Sequence, residues 1–334
     1  MTKVDIISGF LGAGKTTFIK KLIDQVFTGE KLVLIENEFG EIGIDGGFLK
    51  DAGIEITEMN SGCICCTLVG DFSKALQKVL AEYQPDRVII EPSGVGKLSD
   101  IVRAIEDVKK DAEIEIDGRI TVVDGKKAKL YLKNFGEFFE DQVKHASTIV
   151  VSRTQMMTDE KVEECIHMLR DENADAAIIS TPWEQLSKDA IWHALEHGAE
   201  IEGLLEEEHD HHHDHEECCE HDHNHHDHEE CCEHDHHHHH HHADEVFTSW
   251  GKETAHKYTE EELDFLVKAL SETDSYGTIL RSKGIVPMTD GTWKQFDLVP
   301  EEYEVRDGQA DYTGRVCVIG TDLKEDELLK LFHI

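Results

Sequence analysis

The chain has 334 residues, 39% of them hydrophobic, and a formal net charge of −38. That length accommodates two ordinary domains with separate cores. The acidity excludes a nucleic acid as the main ligand, because a phosphate backbone is held by clustered Lys and Arg.

No apolar run approaches the ~20 residues of a membrane span. The opening MTKVDIIS reads as a strand and not as a leader. A cytoplasmic protein without a membrane partner is therefore expected, with its nine cysteines reduced. Cys65 and Cys66, Cys218 and Cys219, and Cys231 and Cys232 are adjacent in the chain and make poor disulfide partners. They are instead available to metals.

In chain order, the strand KVDIIS runs into GFLGAGKT at residues 9–16, which fits G-x-x-x-x-G-K-[ST] between a strand and a helix. The glycines Gly9, Gly12 and Gly14, with Ala13 and Thr17, let backbone N–H groups turn inward around phosphate oxygens. Lys15 reaches the β and γ phosphates, and Thr16 is placed to ligate Mg²⁺. TTFIKKLIDQV then reads as an amphipathic helix and KLVLIEN as the next strand.

After the strand-like GIEITEMN comes GCICC, whose Cys63, Cys65 and Cys66 form a C-x-C-C element. Three thiolates in four residues converge readily on one ion. Soft sulfur ligands suit Zn²⁺ and Cu⁺ and, with N or O partners, Co²⁺ or Ni²⁺. DFSKALQKVLAEY is a helix, and RVIIEPS is a strand with Glu91 at its carboxyl end. A carboxylate there holds Mg²⁺ through water or orients an attacking water. RITVVD, STIVVS and AAIIST are further apolar strands, and DEKVEECIHMLRDE is a further helix. Strands apolar throughout and alternating with helices predict an open α/β domain with a mostly parallel sheet. Its ligands should lie beyond the carboxyl ends of the strands.

Between Glu206 and Glu245 stand sixteen acidic residues, no Lys or Arg, and 18 of the 24 histidines. HDHEECCEHDH occurs twice there, at 213–223 and 226–236. The first copy offers His213, His215, Cys218, Cys219, His221 and His223 as ligands. The second offers His226, His228, Cys231, Cys232, His234 and His236. So polar a segment buries too little to offset its ordering entropy, so a disordered metal-collecting linker is expected. The other six histidines, among them His145 and His167, read as ordinary surface or core residues. Beyond the linker, YTEEELDFLVKALSE predicts a helix, GTILRSKGIVPM, TWKQFDLV and GRVCVIG predict strands, and KEDELLKLFHI predicts a closing helix. The expected division is 1–205, 206–245 and 246–334, with a small α+β domain last.

SGFLGAGKTT, ENEFGE, GCICC, EPSG and ILRSKG together resemble the CobW-like metallochaperone GTPases, relatives of HypB and UreG. The resemblance implies a P-loop NTPase domain, a small C-terminal domain, slow GTP hydrolysis with Mg²⁺, and metal delivery to a client protein. It also implies that Glu36, Glu41, Cys65 and Cys66 are metal-binding positions, with Glu36 or a client residue completing the thiolate set. Where the family has N-K-x-D, this chain has Ser152, Arg153, Thr154 and Gln155. Arg153 can lie over a base, but neutral Gln155 lacks the charged bidentate contact to guanine. GTP is expected, with weakened discrimination against ATP. ENEFGE and GCICC occupy the segment that orders around the γ-phosphate in P-loop GTPases, so GTP would assemble the metal site and hydrolysis would loosen it. A metal-buffering protein with a degenerate nucleotide domain is the alternative. Self-association into a homo-oligomer is compatible with either.

Overall fold

The computed structural model describes residues 1–37, 55–59, 69–195, 246–311 and 313–334. Its first sheet has seven strands: β1 (Thr2–Ser8), β2 (Leu32–Asn37), β3 (Glu55–Met59), β4 (Arg87–Glu91), β5 (Ile114–Asp124), β6 (Thr148–Ser152) and β7 (Ala177–Ile179). They lie in the order β3-β2-β4-β1-β5-β6-β7, and every pairing is parallel. The helices are α1 (Lys15–Lys21), continued by a π-helical turn over Leu22–Val26, then α2 (Val69–Tyr83), α3 (Leu98–Lys109), α4 (Ala128–Lys144) and α5 (Asp159–Glu172).

The apolar strands are covered on both faces, as their sequence requires. Val33, Ile35, Val88 and Ile90 face α2, α3 and α4 through Phe72, Leu76, Ile101, Ile105 and Phe138. Leu34 and Ile89 turn the opposite way, toward Phe18, Ile19 and Leu22. This period of two sorts successive side chains into two cores, and each fully buried Val, Leu, Ile or Phe contributes about 1.5–3 kcal/mol.

At the end of the sheet away from the glycine loop, Arg87 is only 1% exposed. Its guanidinium donates to Glu30 (2.6 Å), Asp117 (2.8 Å) and Asp5, and lies 4.0 Å from the centre of the Phe27 ring.

The second sheet is antiparallel, in the order β11-β10-β9-β12-β8. Its strands are β8 (Thr248–Thr254), β9 (Thr278–Pro287), β10 (Trp293–Val299), β11 (Glu302–Asp307) and β12 (Gly314–Thr321). Helices Glu260–Glu272 and Glu325–Leu331 cover one face through Leu263, Leu266, Leu270, Leu328 and Leu331. A capping box starts the first of them: Thr259 Oγ1 accepts from the Glu262 amide, and the Glu262 carboxylate accepts from the Thr259 amide.

Two of these strands were not expected from sequence. β11 is an edge strand whose EYEVRD is largely exposed and charged, as edges tend to be. β8 buries few of its residues. The other face of this sheet meets the first domain, where Leu280, Cys317 and Ile319 join the core that contains Phe10 and Phe138. Phe247 completes an aromatic cluster with Phe10, Phe135 and Phe138 at centroid distances of 5.0–6.2 Å. The linker expected at 206–245 lies outside the described residues.

Candidate nucleotide site

The glycine loop joins β1 to α1 at the carboxyl ends of the central strands. Two positions need glycine for stated reasons. Gly9 has φ +140°, and a Cβ there would stand 2.2 Å from the Val122 carbonyl oxygen. Gly12 has φ +70°, and a Cβ would stand 2.4 Å from Val299 Cγ1, in β10 of the C-terminal domain. The loop is thus closed in from below by β5 and from above by the second domain.

Lys15 is buried, and its ammonium donates to the Gly9 carbonyl at 3.0 Å. Thr16 Oγ1 donates to both Glu91 carboxylate oxygens, at 3.3 and 3.4 Å. A hydroxyl set against a carboxylate beside a phosphate loop is a donor set that fits Mg²⁺, directly or through water. The Ser152 hydroxyl donates to the Ala13 carbonyl at 2.7 Å, tying the β6 loop to the glycine loop.

A cleft of about 360 Å³ opens over these groups. From the first domain, Gly12, Gly14, Lys15, Thr16, Thr17, Glu91 and Arg153 line it, as the sequence leads one to expect. Gly9 and Ala13 shape the loop from beneath. Gln155 is exposed and does not line the cleft. Arg153 takes a left-handed backbone (φ 63°). Instead of standing over an open base pocket, its guanidinium is held by Asp124 (3.3 Å), the Gly12 carbonyl (3.4 Å) and Glu302.

The outer wall comes from the C-terminal domain, with Arg281, Asp297, Glu302 and Arg306 among its residues. Arg281 pairs with Asp297 at 3.0 Å. Glu302 also takes Lys126 at 2.8 Å, and Lys127 donates to the Pro300 carbonyl at 2.6 Å. Burial pushes Lys127 down to about 8, with Asp124 opposing. Sequence reading did not find this wall. Arg281 lies in the quoted ILRSKG, but no motif marks Glu302 or Arg306 as neighbours of a loop some three hundred residues earlier.

Glu36, one residue before the end of β2, lies in register with Glu91 on β4. This puts the first of the expected metal-binding carboxylates on the strand next to the one that holds Thr16. Glu41, Cys63, Cys65 and Cys66 lie outside the described residues, as do all the expected ligands of the repeated His/Cys block from His213 to His236. Among the described residues no helix is long and apolar enough to cross a membrane.

A parallel sheet whose central strand feeds a G-x-x-x-x-G-K-T loop into a helix, with a carboxylate on the neighbouring strand facing the Thr, defines a P-loop nucleotide-binding protein. The chain belongs to the CobW/HypB/UreG family: the nucleotide-binding domain of that name matches residues 3–180, and the cobalamin synthesis protein cobW C-terminal domain matches residues 247–333.

Among similar curated proteins, a zinc chaperone CobW of Sinorhizobium is 36% identical over 182 residues, which are 46% of this chain and 51% of that protein. The zinc chaperone YeiR of Escherichia coli is 31% identical over 179 residues, 54% of this chain and 55% of its own. A zinc-regulated GTPase metalloprotein activator of Schizosaccharomyces pombe is 25% identical over 321 residues, 90% of this chain and 76% of its own. The chain thus spans about half the length of the two bacterial relatives. The crystal structure of Zn(II)-bound YjiA GTPase from E. coli aligns over 99% of this chain and 98% of its own, at 20% identity and a TM-score of 0.43.

Proposed function

We propose that this protein is a GTP-hydrolysing metallochaperone that binds a transition metal, Zn²⁺ ahead of Co²⁺ or Ni²⁺, and passes it to a client metalloprotein in the cytoplasm. The observation that carries the proposal is the register of Glu36 against Glu91, with Glu91 in turn holding the Thr16 hydroxyl. One strand end then belongs to the nucleotide and its neighbour to the cargo metal. Lys15 and the loop amides hold the phosphates, and Thr16 and Glu91 hold Mg²⁺, which supplies charge neutralisation at the γ-phosphate. Glu91 also orients the attacking water. Glu36, Glu41, Cys63, Cys65 and Cys66 form the cargo site, and Arg153 and Gln155 would meet the base only once nucleotide has drawn Arg153 off Glu302 and turned Gln155 toward the cleft.

The test is linkage. Metal affinity measured with GTP-Mg²⁺ should exceed that with GDP by about tenfold, and the metal must favour the GTP-bound state by the same factor. Equal affinities in the two nucleotide states would remove the switch.

The His/Cys block is assigned as a collecting arm with several exchangeable sites. Deleting 206–245 should leave nucleotide hydrolysis intact while bound zinc falls by more than one ion per chain. In the intact protein that fraction should be lost below about pH 6, as protons displace metal from imidazole. Elemental analysis of both proteins at two pH values checks this. Unchanged stoichiometry on deletion would reduce the arm to a linker.

A further inference from the structure

The fold brings a histidine from the last turn of the chain against two ligand-bearing side chains that stand some seventy residues earlier. The three are His256, in the segment after β8, Glu262, in the first turn of the Glu260–Glu272 helix, and His333, in the turn after the Glu325–Leu331 helix. One ligand atom from each lies within 4.8 Å of the other two. We propose that these residues form a second, independent site for a divalent transition ion of the zinc class, on the C-terminal domain and outside the nucleotide cleft.

Three observations carry the assignment. First, Nε2 of His256 is buried and has no hydrogen-bond partner, although it stands 3.6 Å from a Glu262 carboxylate oxygen. A buried ring nitrogen facing a carboxylate would ordinarily close to a hydrogen bond near 2.9 Å. At 3.6 Å the gap is too wide for that bond and close to the ~3.3 Å that separates two ligand atoms on one tetrahedral ion with bonds of 2.0–2.1 Å. Second, the His333 ring stacks on that of His256 at 4.6 Å between centroids and 28° between planes, which brings the second imidazole to the same point.

Third, each ligand is held by its own support. His256 donates its amide to Thr254 Oγ1 (3.1 Å), and its ring meets the Tyr258 ring edge-on at 4.7 Å. Tyr258 is fully buried, and its hydroxyl donates to the Phe332 carbonyl at 2.7 Å, which fixes the residue before His333. Glu262 is fixed through the capping box with Thr259. Supports of this kind orient metal ligands. Two imidazoles and one carboxylate suit Zn²⁺ with one position left open, and here His333 is exposed and the other two are half-buried, so that position faces solvent. An ion there would clip the turn after the last helix to the start of the Glu260–Glu272 helix.

The full chain carries other metal ligands, so the test must report on these residues alone. The metal-stripped protein is titrated with Zn²⁺, and the rate at which each histidine is carbethoxylated is followed by peptide mass mapping. Saturating zinc should slow modification of both His256 and His333 at least about fivefold. Unchanged rates at these two residues would overturn the proposal. Glu262→Gln separates ligation from indirect burial, because Gln at that helix position still accepts the Thr259 amide and keeps the cap.

Its protection should need at least about tenfold more zinc, since changing even an outer partner of a metal ligand costs that much. Protection at the same zinc concentration as in the parent would also overturn the proposal. Nucleotide-linked metal binding should be unaffected in this variant, so failure here and failure of the chaperone reading are separate outcomes.

Discussion

Lys15→Ala should weaken nucleotide binding by at least about a hundredfold and abolish hydrolysis, while leaving the fold intact. The Lys15 ammonium is buried and held only 3.0 Å from the Gly9 carbonyl, at the mouth of the loop whose amides would cradle the phosphates. A polyphosphate entering the cleft takes over that ammonium as a preorganised charge in a partly dehydrated site, where one such donor is worth about a hundred- to a thousandfold. The variant also separates the two functional readings. A metal-buffering protein with a degenerate nucleotide domain would bind metal equally with and without Lys15 and show no hydrolysis to lose.

The same assay should include competition between GTP and ATP. The parent should prefer GTP only weakly, because Gln155 is exposed and uncharged. Gln155→Asp should sharpen that preference. Tight GTP-only binding by the parent would show that another group reads the base.

Arg87→Met should destabilise the first domain by about 3–5 kcal/mol, which for a unit of this size lowers Tm by about 10 °C or more. Arg87 is bonded to the fully buried Asp5, and it also holds Asp117 and Glu30. Methionine fills much of the same volume, so the loss is chiefly that of the charge. Asp5 and Asp117 would be left side by side on β1 and β5 with Lys3 at 3.0 Å from Asp117 as the remaining cation among the described residues.

The effect should depend on pH with a defined sign. Burial already pushes Asp5 up to about 7 against the lowering influence of Arg87. Its folded value lies above its unfolded one, so the stability it contributes is full below about pH 4 and is lost as pH rises through about 7. Removing Arg87 raises the folded value further. The penalty in the variant should therefore be larger at pH 8 than at pH 5. Urea titrations at the two pH values check this, and a penalty that shrinks toward pH 8 would mean that Asp5 stays ionised without its partner.

The parallel sheet and the glycine loop were legible in the sequence because both rest on local patterns. Runs such as RVIIE and TIVVS are apolar at every position, which only a strand covered on both faces can satisfy. A G-x-x-x-x-G-K-T stretch between strand and helix has one main use. The amphipathic helix DEKVEECIHMLRDE was expected over the same residues that α5 occupies, since its period is written in consecutive residues. The Thr16–Glu91 pair followed from the same logic, because both residues sit at strand or helix ends that topology brings to one edge.

What sequence could not supply is the set of contacts made by residues distant in the chain. Edge strand β11 escaped notice because its alternation is short, with only Tyr303 and Val305 standing among charged residues, yet it delivers Glu302 onto Arg153 and Lys126. Gln155 belongs to a loop whose spacing suggests base contact, whereas the tertiary structure turns it to solvent and spends Arg153 on an interdomain ion pair. His256 and His333 were read as ordinary residues because they are separated by most of a domain. Only the closing of the last helix onto β8, with the Tyr258 hydroxyl on the Phe332 carbonyl, brings their rings together. Periodicity and motif spacing determined the elements and the phosphate loop, which are properties of neighbouring residues. The packing of one domain on the other, and of the last turn on the first, decided what faces the cleft and which ligands meet, because those distances depend on the whole chain.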